Sequence, residues 1–237
     1  MIFYLLLILL VIMFNLHIGN NDDYMSIEKT TCIKGIFILF VFYRHIASYV
    51  NFNGYLDNVV NILDKSLSQL IVTMFLFYSG YGVFEAIKRK REKYINSIPI
   101  QRVLKVLIEF DISLVLFWII GVASGEQYGF KKLILTFIGW DLIGNSNWYI
   151  FCILVTYIFT YISFKIYKNG NIKAIIGVTI LSLLYIWVMS KYKENYWYNT
   201  ILCYPAGMWF SKFKENIEKL VLKSKPIYLF SLFITIE

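Results

Sequence analysis

Residues 67–87 read LSQLIVTMFLFYSGYGVFEAI, and residues 88–105 read KRKREKYINSIPIQRVLK. The first segment holds a single carboxylate, Glu85, and no Lys or Arg. Its length suffices for a helix to cross roughly 30 Å of hydrocarbon, which takes about 20 mainly apolar residues. The second segment concentrates seven of the chain's 23 basic residues. An apolar run of membrane length stopped by a basic cluster reads as a transmembrane helix followed by a cytoplasmic loop.

Working outward, the same pattern recurs. Apolar runs occupy 1–18, 33–50, 103–124, 148–167, 174–189 and 196–210, and further basic clusters fall at 165–173 and 212–225. Composition agrees: 59% of the residues are apolar or aromatic, 16% are charged, and the mean hydropathy is +0.62. Soluble domains run about 45–50% apolar and about 25% charged. These values exclude a soluble enzyme, and a chain this aromatic does not stay disordered in water. The formal charge of +8 does not indicate nucleic acid, because the basic residues sit between apolar runs. Cys32, Cys152 and Cys203 are widely spaced and form neither a metal-ligand pattern nor a disulfide framework, so no metal site is expected. The expected fold is all-α, a polytopic transmembrane helix bundle of about seven or eight spans. Residues 1–237 would form one integral membrane domain, multi-pass in the cell membrane, with the lipid bilayer as its first partner.

The first run has no basic start and no small-residue cleavage site after it, so it reads as an uncleaved span, with His17 at its interface. Placing 88–105 in the cytoplasm makes the span 33–50 run from inside to outside, and puts the loop with Asp57 and Asp64 outside. Residues 133–144 then pose a choice. A full crossing there would carry the two later basic clusters outside, so 131–147 is expected to be re-entrant or interfacial, the alternative being a short tilted span. The ten apolar residues 227–236 supply half a crossing, and the chain reads as a bundle cut short at its C-terminus.

Among residues able to carry chemistry, His45 stands out because it lies deep in an apolar run beside Arg44. Ionisable groups in a membrane are costly and mark a cavity, a partner or a reaction. His45 is read either as a general base for a hydroxyl nucleophile or as a hydrogen-bonded packing residue near the outer interface. Lys34 precedes it by eleven residues, about three helical turns and about 16 Å, so the two side chains share one helix face. No nucleophile elbow, zinc-protease pair or phosphate-binding loop is present. Ser79 reads as a cavity hydroxyl or a close-packing site. Trp148 reads as a cavity residue or a member of an aromatic belt. Glu109 stands four residues after Lys105, the spacing of a helix-face ion pair.

Several of these residues fall in blocks that resemble a known family. TCIKGIFILFVFYRHIASYV (31–50) is similar to the first block of the acyltransferase 3 family of membrane O-acyltransferases, a basic residue, ten residues, then His, filled here by Lys34 and His45. MFLFYSGYG (74–82) resembles the family's aromatic segment ending in Ser-Gly, with Ser79 and Gly80 matching. Arg102-Val-Leu-Lys105 resembles its Arg-x-x-Arg pair, with lysine in the second place. Asn147-Trp148-Tyr149 and Tyr204-Pro205-Ala206-Gly207-Met208 are similar to later segments, so the likeness runs in order over most of the chain from Thr31 onward.

The resemblance implies transfer of an acyl group, most often acetyl, from cytoplasmic acyl-CoA to a hydroxyl of a cell-envelope glycan or glycolipid. It implies His45 as the catalytic residue, Lys34, Arg102 and Lys105 as binding residues for the acyl-CoA co-substrate, and no permanently bound cofactor. Arg44, Ser79 and Trp148 would line the substrate cavity. Lysine at 105 departs from the family pattern and binds phosphate as a point charge. Two other functions are compatible with the residues: a transporter or flippase for an envelope precursor, with Arg44 and His45 lining the path, or an inactive, truncated acyltransferase-like protein.

Overall fold

A computed structural model of the chain describes residues 2–15, 23–47, 49, 70–144, 146–167, 171–221 and 223. His17, the loop with Asp57 and Asp64, and residues 227–236 lie outside them. Among the described residues all regular structure is helical, with no strand. The chain falls into two compact units, residues 1–78 and 79–237.

The first unit contains α1 (Ile2–Asn15) and α2 (Ile27–Ala47). Ser26 caps α2: its Oγ accepts from the Lys29 backbone N–H at 3.3 Å, and its carbonyl accepts from Thr30 Oγ1 at 2.8 Å. The cap lets α2 begin at Ile27, before the apolar run that starts at 33, because a capped first turn has no need of apolar residues. The two helices pack through Ile8 and Tyr43, both fully buried, with Ile12, Leu39 and Phe40 around them.

In the second unit, α3 (Leu70–Ile98, which starts in the first) runs through a π-helical turn, Pro99–Leu104, into α4 (Lys105–Ala123). α5 (Phe130–Phe137), α6 (Trp148–Ile166), α7 (Asn171–Met189), a 3-10 turn (Asn195–Trp197) and α8 (Cys203–Val221) follow. α4 ends in a Schellman motif: Glu126 N–H bonds the Gly121 carbonyl at 2.9 Å and Gly125 N–H bonds that of Val122 at 3.0 Å. That geometry requires the left-handed backbone which Gly125 supplies at φ 91°.

α3, α6 and α8 run in one direction, since Ser79 meets Tyr157, Phe84 meets Phe164, and Lys88 donates to the Ser211 carbonyl. α7 returns against α6, and the approach there is close: a Cβ on Gly177 would lie 2.9 Å from Ser163 Oγ. The stretch from α3 to α4 reverses near its middle. Glu92 pairs with Lys165 at 3.8 Å, whereas Arg102 is back within electrostatic reach of Tyr157, higher on α6. Arg91 breaks the helix on the way, at φ 45° and ψ −132°.

Four stretches among the described residues are long and apolar enough to cross a membrane: Ile27–Ala47, Leu70–Ala123, Trp148–Ile166 and Asn171–Met189. Of these, α6 is the most buried, and its small polar residues satisfy themselves locally: Thr156 Oγ1 donates to the Ile153 carbonyl and Thr160 Oγ1 to that of Thr156, both at 2.8 Å. α4 and α7 expose long apolar faces, such as Ile112, Leu116, Ile119 and Ile120 on α4, and Ile176, Ile180, Leu183 and Trp187 on α7. Apolar surface on that scale is stable against lipid and costly in water.

One expected crossing is drawn differently, and the segment expected to be re-entrant or interfacial holds only a short helix. Residues 196–210 do not form one span; the 3-10 turn and the loop after it precede a helix that starts at Cys203 and continues through Lys212, Lys214 and Lys219 to Val221. Within 131–147, α5 is eight residues long, about 12 Å at 1.5 Å per residue, which is too short to cross. Irregular backbone follows it, with Gly139 at φ 80°.

Candidate functional site

The interior of the second unit holds a string of polar side chains between apolar helices. Ser79 on α3 and Tyr157 on α6 share a hydrogen bond of 2.8 Å between their hydroxyls. Tyr157 packs its ring edge against Tyr204 on α8, with centroids 6.0 Å apart. The Tyr204 hydroxyl meets Thr160 Oγ1 at 3.0 Å. Arg102 completes the string: its Nε donates to the Tyr94 hydroxyl at 2.9 Å, and its charge interacts with the Tyr157 and Tyr204 side chains. Hydroxyls bonded to one another escape the cost of an unpaired polar group in hydrocarbon, and they leave the arginine facing neutral oxygens instead of a carboxylate.

Arg102 reaches this interior because of the π turn. Pro99 has no N–H to donate, and its ring would collide with the carbonyl four residues back. The helix widens here, and Lys105 N–H bonds the Ile100 carbonyl five residues earlier. Residues three apart on an α-helix lie only about 60° apart around the axis, but a wider turn spreads them further. Arg102 is therefore half-buried against Tyr94, while Lys105 is exposed and pairs with Glu109 at 3.8 Å. The ion pair expected from the i,i+4 spacing is present. The two cations expected to bind the donor have different surroundings, Arg102 against Tyr94 and Lys105 exposed beside Glu109.

Lys34, Arg44 and His45 all lie on α2 in the first unit. The helix is unbroken between Lys34 and His45, as the shared-face geometry requires. Lys34 and Arg44 are partly buried and His45 is exposed, in the last turn of the helix.

Trp148 opens α6 at the end of the second unit opposite the basic clusters. Its ring meets Tyr149 and Tyr196 edge-on, at 6.4 and 6.0 Å. Beside it, Lys193 donates to the Trp140 carbonyl at 2.7 Å and stands over two indole rings, Trp140 at 4.5 Å and Trp197 at 4.3 Å. Asn147, fully buried, donates to the Asp141 carbonyl. These contacts tie the segment after α5 to the loop after α7. Trp148 is thus part of an aromatic cluster, about 13 Å along α6 from Tyr157 at 1.5 Å per residue.

Two of the blocks singled out in the sequence meet in space within this unit. A methyl group on Gly80 would collide with the Tyr204 carbonyl, so the Ser79-Gly80 and Tyr204–Met208 blocks lie back to back. A family model described as an acyltransferase domain matches residues 27–236. The chain belongs to the acyltransferase 3 family. No curated protein and no solved structure matches it. Family membership and the exposed apolar helices together make it a membrane protein of acyltransferase type. In this family member, Tyr94 and Tyr157 went unnoticed in the sequence, where 19 tyrosines give no reason to single out two. The one available signal was helical spacing: Tyr157 and Thr160 are three residues apart and so share a face of α6.

Proposed function

We propose that this chain transfers an acyl group, acetyl in the first instance, from acyl-CoA in the cytoplasm to a hydroxyl of a cell-envelope saccharide or glycolipid. What carries this reading is the family match over 27–236, together with a continuous α2 that bears Lys34 and His45 on one face. In the reaction, a nitrogen of His45 takes the proton of the acceptor hydroxyl as its oxygen attacks the thioester carbonyl. The C–S bond breaks, the ester forms, and the CoA sulfur leaves as thiolate, which the imidazolium then protonates. Lys34, about 16 Å away along the helix, attracts the phosphates of the donor. In the second unit, taken by itself, Arg102 is a candidate phosphate contact and Ser79, through Tyr157, part of a polar lining. Lys105 remains a weaker donor contact in this scheme, since it is exposed and paired with Glu109.

The decisive experiment is His45→Ala, with acyl transfer to envelope polysaccharide and lipid followed by mass spectrometry and membrane accumulation checked in parallel. A general base contributes about 10²–10⁴-fold, so transfer should fall by that factor at unchanged protein level. Transfer that persists at the wild-type rate removes His45 from the mechanism.

A further inference from the structure

The three basic clusters, far apart in sequence, converge at one end of the second unit. An open cleft of about 860 Å³ there is lined by Lys88, Arg91, Lys165, Lys173 and Lys212, with Glu92 among them and Ile87, Phe164 and Ile172 as apolar wall. The volume lies within the range of small-molecule sites, about 300–1,000 Å³. Two of the cations are matched: Lys88 pairs with Glu85, and Lys165 with Glu92. Among the described residues, Arg91, Lys173 and Lys212 have no carboxylate within ion-pair distance. Arg91 also holds a left-handed backbone, φ 45°, that a non-glycine residue adopts only at a cost, and such strain concentrates where a side chain serves a ligand. Neither Arg102 nor Lys105 lines the cleft.

Cations gathered in a concave site with apolar walls focus a positive potential and concentrate anions there. We infer that this cleft is a binding site for a ligand carrying two or more phosphate groups. Three unmatched cations exceed what one carboxylate neutralises. The guanidinium of Arg91 suits a bidentate phosphate contact, and the two lysines suit point-charge contacts to a second phosphate. Two molecules present this chemistry to a membrane protein: the nucleotide end of the acyl donor, which rests on the acyl-CoA reading above, and the headgroup of a polyphosphorylated lipid, which does not.

The test uses the full chain in neutral detergent, titrated with inorganic pyrophosphate by calorimetry, for wild type, Lys173→Gln/Lys212→Gln and Lys173→Arg/Lys212→Arg. Loss of one charge-assisted contact corresponds to about tenfold or more in affinity. Pyrophosphate binding should weaken by at least that factor in the glutamine variant, recover in the arginine variant, and fall with added salt. Two further arms identify the source. Coenzyme A that competes with pyrophosphate on wild type alone points to the donor. Phosphatidylinositol bisphosphate retained from lipid nanodiscs on wild type alone, seen by native mass spectrometry, points to the lipid. Equal pyrophosphate affinity in wild type and the glutamine variant, at equal thermal stability, overturns the proposal. If the glutamine variant unfolds, Arg91→Gln takes its place under the same criteria. The two readings fail separately: transfer surviving His45→Ala defeats the catalytic assignment while pyrophosphate binding stays, and pyrophosphate binding indifferent to Lys173 and Lys212 defeats the cleft while the role of His45 stands.

Discussion

A Cβ on Gly80 would stand 1.9 Å from the carbonyl oxygen of Tyr204, and the obstacle is backbone, not a side chain that swings aside. α3 and α8 touch here main chain to main chain, so Gly80→Ala must force them apart. The expected cost is about 1–3 kcal/mol of overpacking, read as a lower unfolding temperature in detergent. Gly82→Ala is the internal control: nothing lies within 4 Å of its Cβ position, and the better helix propensity of alanine should leave stability unchanged or slightly raised.

The Ser79–Tyr157 bond joins two helices through hydroxyls at 2.8 Å. A double-mutant cycle on Ser79→Ala and Tyr157→Phe should return a coupling of about 0.5–1.5 kcal/mol. A coupling of zero means that each hydroxyl finds another partner when its mate is removed.

Tyr94→Phe deprives Arg102 of its acceptor while keeping the ring, whose centroid lies 6.0 Å from the guanidinium. We expect a loss of about 1 kcal/mol, since the group is only partly buried and hydrogen bonds to charged groups reach about 1.5–3 kcal/mol. If Arg102 serves the donor, the KM for acyl-CoA should rise with kcat little changed; equal loss in the Arg102→Ala background is expected to vanish, because the two residues act through one bond.

Lys193 supplies a pH test. Burial lowers its pKa from the ordinary 10.5, and the nearby Asp141 partly opposes the shift. The native state therefore releases this proton before the unfolded chain does. Over the interval between the two values the unfolded state binds more protons, so stability rises with pH there and is lost as pH falls through the folded value. Asp141→Asn should push the titration further down. Amine titration by NMR on selectively labelled lysine checks both, and a Lys193 signal titrating at or above 10.5 contradicts them.

Much of the fold was legible because membrane length and charge are read directly from a sequence. α2, α4, α6 and α7 lie where apolar runs lie, and the basic clusters of 88–105, 165–173 and 212–225 contribute to one cleft. What escaped was whatever polar residues build. Ser26 starts α2 six residues early, and α3 continues past Ile87 through a basic stretch that hydropathy alone reads as loop. The run 196–210 was misread because Trp197 and Ile201 are apolar for packing in a loop, where both are buried, and not for crossing a membrane. At the candidate site, Arg102 and Lys105 were paired by motif, and the proline-induced widening that separates them cannot be seen in spacing. His45 and Lys34 keep the helix that the reading assumed.

Pro99–Leu104 has one more consequence. A π turn accommodates one residue beyond what an α-helical ladder would hold, so the chain here carries an insertion that every residue after it inherits as an angular offset. Deleting Gln101 should let the turn close to α geometry and rotate α4 by about 100° relative to α3. Such a rotation would carry Leu114, the fully buried residue of α4, out of its contacts and bring other positions of that helix toward α6. The facing of a whole membrane helix thus hangs on a single residue in the turn that a proline opens.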